Sequence, residues 1–490
     1  MFNKLEAVIL TVLSQLKADV QDYCDLETVD GGQAIVANDG SLASIVRFNG
    51  TKSVLGREQF ERLVSLLEAS LSVYFKVRGH HLQIVFSRDL DATAPLEQNA
   101  LQQAATAERL NLNVRHLINE GVSKYAQYVY DEECYLEVWS RPALLDQTER
   151  SMAREALNEF RKQSQWPATA EAQNLLRPIS YLKDRHLSFV TKISEDLTSP
   201  EFGCSADILD VSEAIRAIRA KVNPDITPRT WKPYIPGSAI PMRWKTSGRS
   251  GDMSEFMYPT LPSQIMVTSA EIGSGERTSL LPDPTSVRVG SRVYAPLLMS
   301  IPPAEPQYFN TLFNSLNRAE TQENGVSRAL PYSVSFMLSS DGMSVLAWKS
   351  LFAQLLSVTS EQNRNINLAT KELRERVRDG ECMVKLQVAA MTWASPDEKG
   401  VKELALRKSK LWRTLEAWGQ PVFIERTGNP MQAFQSNCLA LTTKHLGDPA
   451  AAPLGDAVAM LPLTRPASPF QEGSTIYRSL DGKILKYQRF

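Results

Sequence analysis

The sequence predicts an α+β fold, built as two mixed α/β units with a Pro/Gly-rich segment between them. Over residues 1–222, strand and helix patterns follow in the order strand, strand, helix, strand, helix, strand, then helices, which suits a sheet with helices on one face. A second alternation of strands and helices covers residues 291–445. Between them, prolines punctuate residues 223–290 and exclude long helices, so we expect a linker or an irregular excursion. Residues 446–490 form a tail that ends in a hairpin.

The first unit opens with a strong turn signal. Gln33–Ala37 and Leu42–Phe48 flank Asp39-Gly40, a pair that tolerates the positive φ of a tight hairpin. Apolar residues at helical spacing then predict a helix over Arg57–Phe75. A long helix is predicted from about Leu96 toward Tyr128.

Two further predictions concern strands. The acidic run Asp131–Glu133 precedes a strand and is interpreted as a solvated loop. In the second unit, Arg292–Ile301 is predicted to be a strand, and Pro296 should restrict it to an edge or a bulge because proline cannot donate to the ladder.

The N-terminal segment, residues 2–20, predicts an amphipathic helix. Its apolar positions recur at helical spacing and are Phe2, Leu5, Ile9, Val12, Leu13 and Leu16. Such a helix either packs on its own domain or lies on a partner. Our hypothesis for a partner-binding surface is this apolar face.

Charge and cysteine content restrict the function. Lys plus Arg number 54 and Asp plus Glu 55, so the net charge is -1, whereas dedicated nucleic-acid binders carry a basic excess. The basic stretch Lys402–Arg413 is the local exception. The five cysteines are scattered without a CxxC pair, which indicates free thiols in a reducing compartment. No spanning segment is visible, so we expect a cytoplasmic location.

The motifs that carry catalysis are absent from the sequence. It has no GxxxxGK[ST] loop, no HExxH pair and no GxSxG elbow. The sequence therefore predicts no catalytic, cofactor-binding or metal-binding residue in this chain, and no enzyme activity of this chain alone.

The tail carries the most specific pattern. It reads LPLTRPASPF over Leu461–Phe470, followed by YRSLDGK over Tyr477–Lys483. This segment resembles the one just ahead of the phosphate-binding loop in the large ATPases of type IV secretion and conjugation. The similarity is closest to the DotO (IcmB) and TraU branch of the type IVB systems. The early stretches Cys24–Thr28 and Asp39–Leu42 are also similar to that branch.

The resemblance implies a docking and assembly domain for a motor ATPase that powers substrate transfer at the cytoplasmic base of a type IV secretion system. It implies a mixed α/β N-terminal half, and a RecA-like C-terminal half that would bind ATP and Mg. The implied partners are inner-membrane secretion complex proteins and copies of the chain itself, as a hexamer or a hexamer of dimers. The implied location is cytoplasmic and peripheral to the inner membrane.

Two interpretations of the tail stay open. In the family, the phosphate-binding loop should follow soon after the position of Phe490, so the chain is either the N-terminal part of a longer protein or a relative without a motor. We favour the first, because the final hairpin has no following element to pack against. The alternative function is a nucleic-acid-handling accessory of conjugation that uses the Lys402–Arg413 face.

Overall fold

The fold was obtained as a computed structural model, which describes residues 20–163, 173, 180–238, 258–268, 270–272, 283–303, 305–323, 326–348, 361–470, 473 and 475–487. The predicted partner-binding residues lie outside these ranges: Phe2, Leu5, Ile9, Val12, Leu13 and Leu16. In the described ranges, no helix is long and apolar enough to cross a membrane.

One large antiparallel sheet organises the described chain, so the predicted α+β class is confirmed. Its path runs β1-β2-β3-β5-β4-β12-β13-β9-β8-β7, with β6 beside β3, β15 beside β13 and β14 beside β9. Two separate hairpins, β10–β11 and β16–β17, complete the strands. The strand bounds are β1 Leu26–Asp30, β2 Ala34–Ala37, β3 Leu42–Thr51, β4 His80–Asp89, β5 Asp131–Ser140, β6 Cys204–Ile208, β7 Ala270–Ile272, β8 Val287–Val289, β9 Arg292–Ile301, β10 Glu320–Glu323, β11 Val326–Ala329, β12 Tyr332–Ser339, β13 Met383–Ala394, β14 Val422–Ile424, β15 Ala450–Pro453, β16 Thr475–Arg478 and β17 Ile484–Tyr487.

Helices cover both faces of this sheet. Their bounds are α1 Arg57–Phe75, α2 Thr93–Arg109, α3 Arg115–Tyr125, α4 Gln147–Gln163, α5 Ser180–Thr198, α6 Val211–Val222, α7 Leu261–Ile265, α8 Phe309–Arg318, α9 Glu361–Arg378, α10 Glu398–Glu416, α11 Pro430–Asn437 and α12 Leu454–Ala459. Helices α1, α5, α8, α10 and α12 share one core with one face of the sheet. Helices α6, α7 and α11 share a second core with the opposite face. The expectation of helices on one face of the first unit is therefore wrong, because its strands are buried on both faces and α6 covers the second one.

The sheet is continuous across the two sequence segments that were predicted as separate units. Strand β4 of residues 1–222 pairs with β12 of residues 291–445, from Tyr332 opposite Arg88 to Ser339 opposite His81. All eight residues of β12 are buried. The backbone hydrogen bonds of one ladder thus join the two segments directly.

The local predictions have mixed outcomes in this fold. The Asp39-Gly40 hairpin is confirmed: β2 pairs with β3, and Gly40 has φ +84°. The helix Arg57–Phe75 is confirmed with the same bounds. The single helix from Leu96 to Tyr128 is wrong. The chain forms α2 and α3 instead, and Asn111 between them has φ 55°, a left-handed conformation that asparagine tolerates better than most residues.

The strand Arg292–Ile301 is confirmed with the same bounds as β9. The expected effect of Pro296 is wrong, because β9 lies inside the sheet and its register shift against β14 falls between Met299 and Ile301. Strand β9 pairs with β13 on one side, and with β8 and β14 on the other. Pro296 falls between the end of the β8 pairing at Tyr294 and the start of the β14 pairing at Leu298. The missing N–H of proline is tolerated there because the neighbouring strand changes at that point.

Candidate functional site

The C-terminal segment folds back onto the sheet through backbone hydrogen bonds. Thr51 N–H donates to the Arg465 carbonyl at 2.8 Å, and Ala467 N–H donates to the Thr51 carbonyl at 2.8 Å. Tyr130 N–H donates to the Gly482 carbonyl at 2.9 Å. The final hairpin therefore packs against earlier parts of its own chain, beside the start of β5.

Glu132 forms the centre of this contact. It lies near the start of β5, and its side chain is 3% exposed. Arg465 donates to it from Nε at 3.0 Å and from Nη2 at 2.9 Å, and Lys483 Nζ lies 3.1 Å from the same carboxylate. Burial alone would raise the pKa of Glu132, but the charges of Lys483 and Arg465 hold that pKa below its ordinary value.

Two further charged residues complete the contact. Arg465 also pairs with the Asp481 carboxylate at 2.6 Å, and its guanidinium lies 3.9 Å from the centre of the Phe313 ring. Arg88 is fully buried, donates to the Asp481 carbonyl, and lies over the Tyr130 ring at 3.9 Å. We call this cluster the tail dock: Arg88, Glu132, Arg465, Asp481 and Lys483.

A small apolar cluster lies beside the tail dock. Its members come from the β4–α2 connection, the two helices α2 and α3, the segment after α3 and the C-terminal hairpin: Ala92, Leu96, Val122, Ala126, Val129, Ile476 and Ile484. Asn99 Nδ2 of α2 also donates to the Gly473 carbonyl at 2.5 Å. The hairpin therefore contacts the helix pair as well as the sheet.

The opposite face of β5 carries the other two residues of the acidic run. Lys221 Nζ lies 2.5 Å from Glu133, and Tyr135 Oη donates to Glu133 at 3.1 Å. Burial, followed by the charge of Glu133, raises the pKa of Asp131 to about 8. Because neighbouring strand residues point to opposite faces, the side chains of this run lie on both faces of the sheet. The interpretation as a solvated loop is wrong.

The thiols and three of the histidines, His80, His81 and His186, are buried. All five cysteines are free and buried. Burial raises the pKa of the Cys24 thiol to about 12 and that of Cys204 to about 11, so both stay protonated at neutral pH. His186 lies between Ser44 Oγ at 2.9 Å and Ser140 Oγ at 3.0 Å, and burial lowers its pKa to about 3. These groups therefore act as structural residues.

The described residues form no metal centre, and the charged side chains that line their open cavity are paired. Groups of three or more His, Cys, Asp or Glu side chains that could hold a metal ion are absent there. An open cavity of about 390 Å³ has Arg78 and Arg141 on its wall, paired with Asp341 at 2.9 Å and Asp39 at 3.6 Å. The four charged residues on its wall thus form two ion pairs, and His81 also lines the cavity.

The basic stretch Lys402–Arg413 lies on α10, and several of its cations contact the protein itself. Arg407 is 5% exposed and donates to the Trp393 carbonyl at 2.6 Å. Lys408 pairs with Glu425 at 2.6 Å, and Lys410 donates to the Glu320 carbonyl. These cations are used within the fold, which reduces the charge available to phosphates.

Sequence reasoning missed Glu132 and Arg88, because their partners are more than 300 residues away in the chain. The available signal was that Arg465, Asp481 and Lys483 all fall inside the two tail motifs. Fold and site together define an α+β protein whose C-terminal hairpin is anchored to its own sheet by buried ion pairs. No protein-family model matches the chain, and no curated protein matches it.

Proposed function

We propose that this chain is the docking and assembly domain of a motor ATPase of the type IV secretion or conjugation class, acting at the cytoplasmic base of the machine and peripheral to the inner membrane. The observation that carries the proposal is the tail dock. The segment that resembles the approach to a motor's phosphate-binding loop is held against the sheet through Glu132. A domain that anchors a motor needs contacts with the element leading toward it, and the tail dock supplies such contacts.

The proposal assigns separate roles to the two ends of the chain. The tail leads toward the ATPase domain, which would bind ATP and Mg. The apolar stripe of the N-terminal segment binds inner-membrane secretion complex proteins, through Phe2, Leu5, Ile9, Val12, Leu13 and Leu16. Further copies of the chain assemble around it, as a hexamer or a hexamer of dimers.

Co-fractionation with the inner-membrane complex tests the proposal. The native protein should carry Leu5→Ser and Ile9→Ser together, which removes the centre of the apolar stripe. We expect the variant to keep the thermal unfolding midpoint of the wild type and to leave the membrane-complex fraction. Val54→Ser is the matched control, because Val54 is an apolar residue that is already 86% exposed. Unchanged co-fractionation, or loss of the fold in the double variant, would contradict the partner-binding role.

A further inference from the structure

We propose that the C-terminal hairpin is a releasable strap, anchored by the ionised Glu132, that holds the helix pair α2–α3 against the sheet. The strap comprises β16, β17 and the turn that carries Asp481 and Lys483. This inference concerns contacts within the chain and stands independently of the proposed function.

The helix pair depends on outside support. Helix α3, all of whose residues are described, buries none of its side chains fully. The half-buried Val122 and Ala126 lie in the same apolar cluster as Ile476 and Ile484 of the strap. The outer side of α3 exposes Leu117 at 56% and Tyr125 at 66%. Loss of the strap would therefore remove part of the packing that keeps α3 in place.

Buried charges contribute to the attachment of the strap, beside the backbone hydrogen bond from Tyr130 to Gly482. Ile476 and Ile484 are only half-buried, whereas Glu132 is 3% exposed and binds two cations from the C-terminal segment. Removing its charge leaves Lys483 without that anion, and Arg465 with Asp481 alone. A buried cation without its partner is costly, so exchange of the docked contact for water becomes favourable. An isolated two-stranded hairpin is itself marginally stable, so an undocked strap should lose its own protection.

One contact keeps the release local. Arg328 donates to the carbonyls of Leu90 at 2.8 Å, Ala126 at 3.2 Å and Val129 at 2.8 Å. The C-terminal end of α3 thus stays attached when the strap leaves. Release should loosen the helix pair without opening the sheet.

Hydrogen exchange of the whole chain with Glu132→Gln tests the strap. Glu132 belongs to β5, and its ion pairs are with Arg465 and Lys483 of the C-terminal segment. Because Glu132→Gln removes only a charge on β5, faster exchange in the helices would report their coupling to the strap. We expect exchange at least about tenfold faster in residues 475–487 and in 115–125, with β12 as protected as in the wild type. The matched control is Glu120→Gln, which removes the exposed pair with Lys124 on α3 itself. It should leave exchange in the strap unchanged.

A second variant covers the case in which Glu132→Gln fails to fold. Ile484→Ala weakens the apolar contact of the strap and leaves every charge in place. It should also speed exchange in residues 115–125. The proposal is overturned if the strap exchanges faster while α3 is unaffected, if neither responds, or if β12 loses protection together with the strap in both variants.

Discussion

Glu132 and Arg465 are 333 residues apart in sequence and form a two-pronged ion pair, with Arg465 donating from Nε at 3.0 Å and from Nη2 at 2.9 Å. Their side chains are 3% and 11% exposed. Paired charges that are this well buried tolerate substitution of one partner poorly, because the other remains in a low-dielectric site. This pair therefore ties the C-terminal segment to strand β5.

Arg465→Met should lower the free energy of unfolding by about 3 kcal/mol, the order expected when one partner of a buried ion pair is lost. Urea denaturation followed by circular dichroism measures the change. Arg57→Met is the matched control, because the Arg57–Glu61 pair is exposed at 89% and 52%. The control should change stability by less than about 0.5 kcal/mol. Equal effects of the two variants would refute a special role for the Arg465 pair.

Gly482→Ala should weaken the tail dock. Gly482 has φ +88°, and a Cβ there would overlap Cδ2 of the Tyr130 ring. The variant therefore combines backbone strain with a clash against the ring under Arg88. Gly380→Ala isolates the strain, since Gly380 has φ +97° and a Cβ there would meet nothing within 4 Å. The Gly380 variant should cost about 1 kcal/mol and the Gly482 variant clearly more, measured by thermal unfolding.

Glu137 should make stability fall as pH rises. It is fully buried, its Oε1 has no hydrogen-bond partner among the described residues, and burial raises its pKa to about 8. Its folded pKa thus exceeds its unfolded one, so the protonated form supports the fold at low pH. That contribution declines as pH rises from about 4.5 to about 8.

Glu137→Gln should remove this decline. Between pH 5 and pH 8, the wild type should lose more unfolding free energy than the variant, by an amount on the order of 3 kcal/mol. Urea denaturation at each pH gives the difference, and Glu61→Gln is the control, because Glu61 is 52% exposed. Parallel pH profiles for the wild type and Glu137→Gln would contradict the assignment.

Arg407→Ala should lower the free energy of unfolding. Its guanidinium is buried and donates to the Trp393 carbonyl at 2.6 Å and to Glu403 at 2.7 Å. We expect a loss of about 2 to 3 kcal/mol in chemical denaturation, compared with nearly none for Lys402→Ala on the exposed side of α10.

The alternative function predicts a different experimental result for α10. A nucleic-acid-handling face would bind oligonucleotides with an affinity that falls steeply as salt increases. Fluorescence anisotropy with a labelled DNA strand, from about 50 to about 200 mM salt, measures this directly. We expect no such steep binding, because Lys408 and Lys410 contact groups of the protein itself. Strong salt-dependent binding that Lys402→Ala and Arg413→Ala weaken would favour the alternative.

Local patterns in the sequence were sufficient for individual elements. The spacing of apolar residues predicted the helix Arg57–Phe75, and Asp39-Gly40 predicted the turn between β2 and β3, because both signals arise from neighbouring residues. The spacing of apolar residues also led to the wrong prediction of α2 and α3 as one helix. Apolar residues continue through both, and the left-handed Asn111 leaves no unambiguous mark in the sequence.

The long-range organisation of the fold could not be predicted from the sequence, because it does not arise from neighbouring residues. The pairing of β4 with β12 and the contact of Glu132 with Arg465 each join residues hundreds of positions apart. An acidic run ahead of a strand is usually solvated, and only the returning tail makes Glu132 a buried anchor. The strand β6 was missed as well, since its exposed Asp207 and Ile208 do not follow a simple alternation.

The mass and sequence of the protein in its native source test the central claim most directly. We predict a chain much heavier than 54.7 kDa, with a GxxxxGK[ST] loop shortly after the Phe490 position. Mass spectrometry of the protein from its native source, with peptide sequencing beyond that position, provides both. A native mass near 54.7 kDa would contradict the claim that this domain anchors a motor within the same chain.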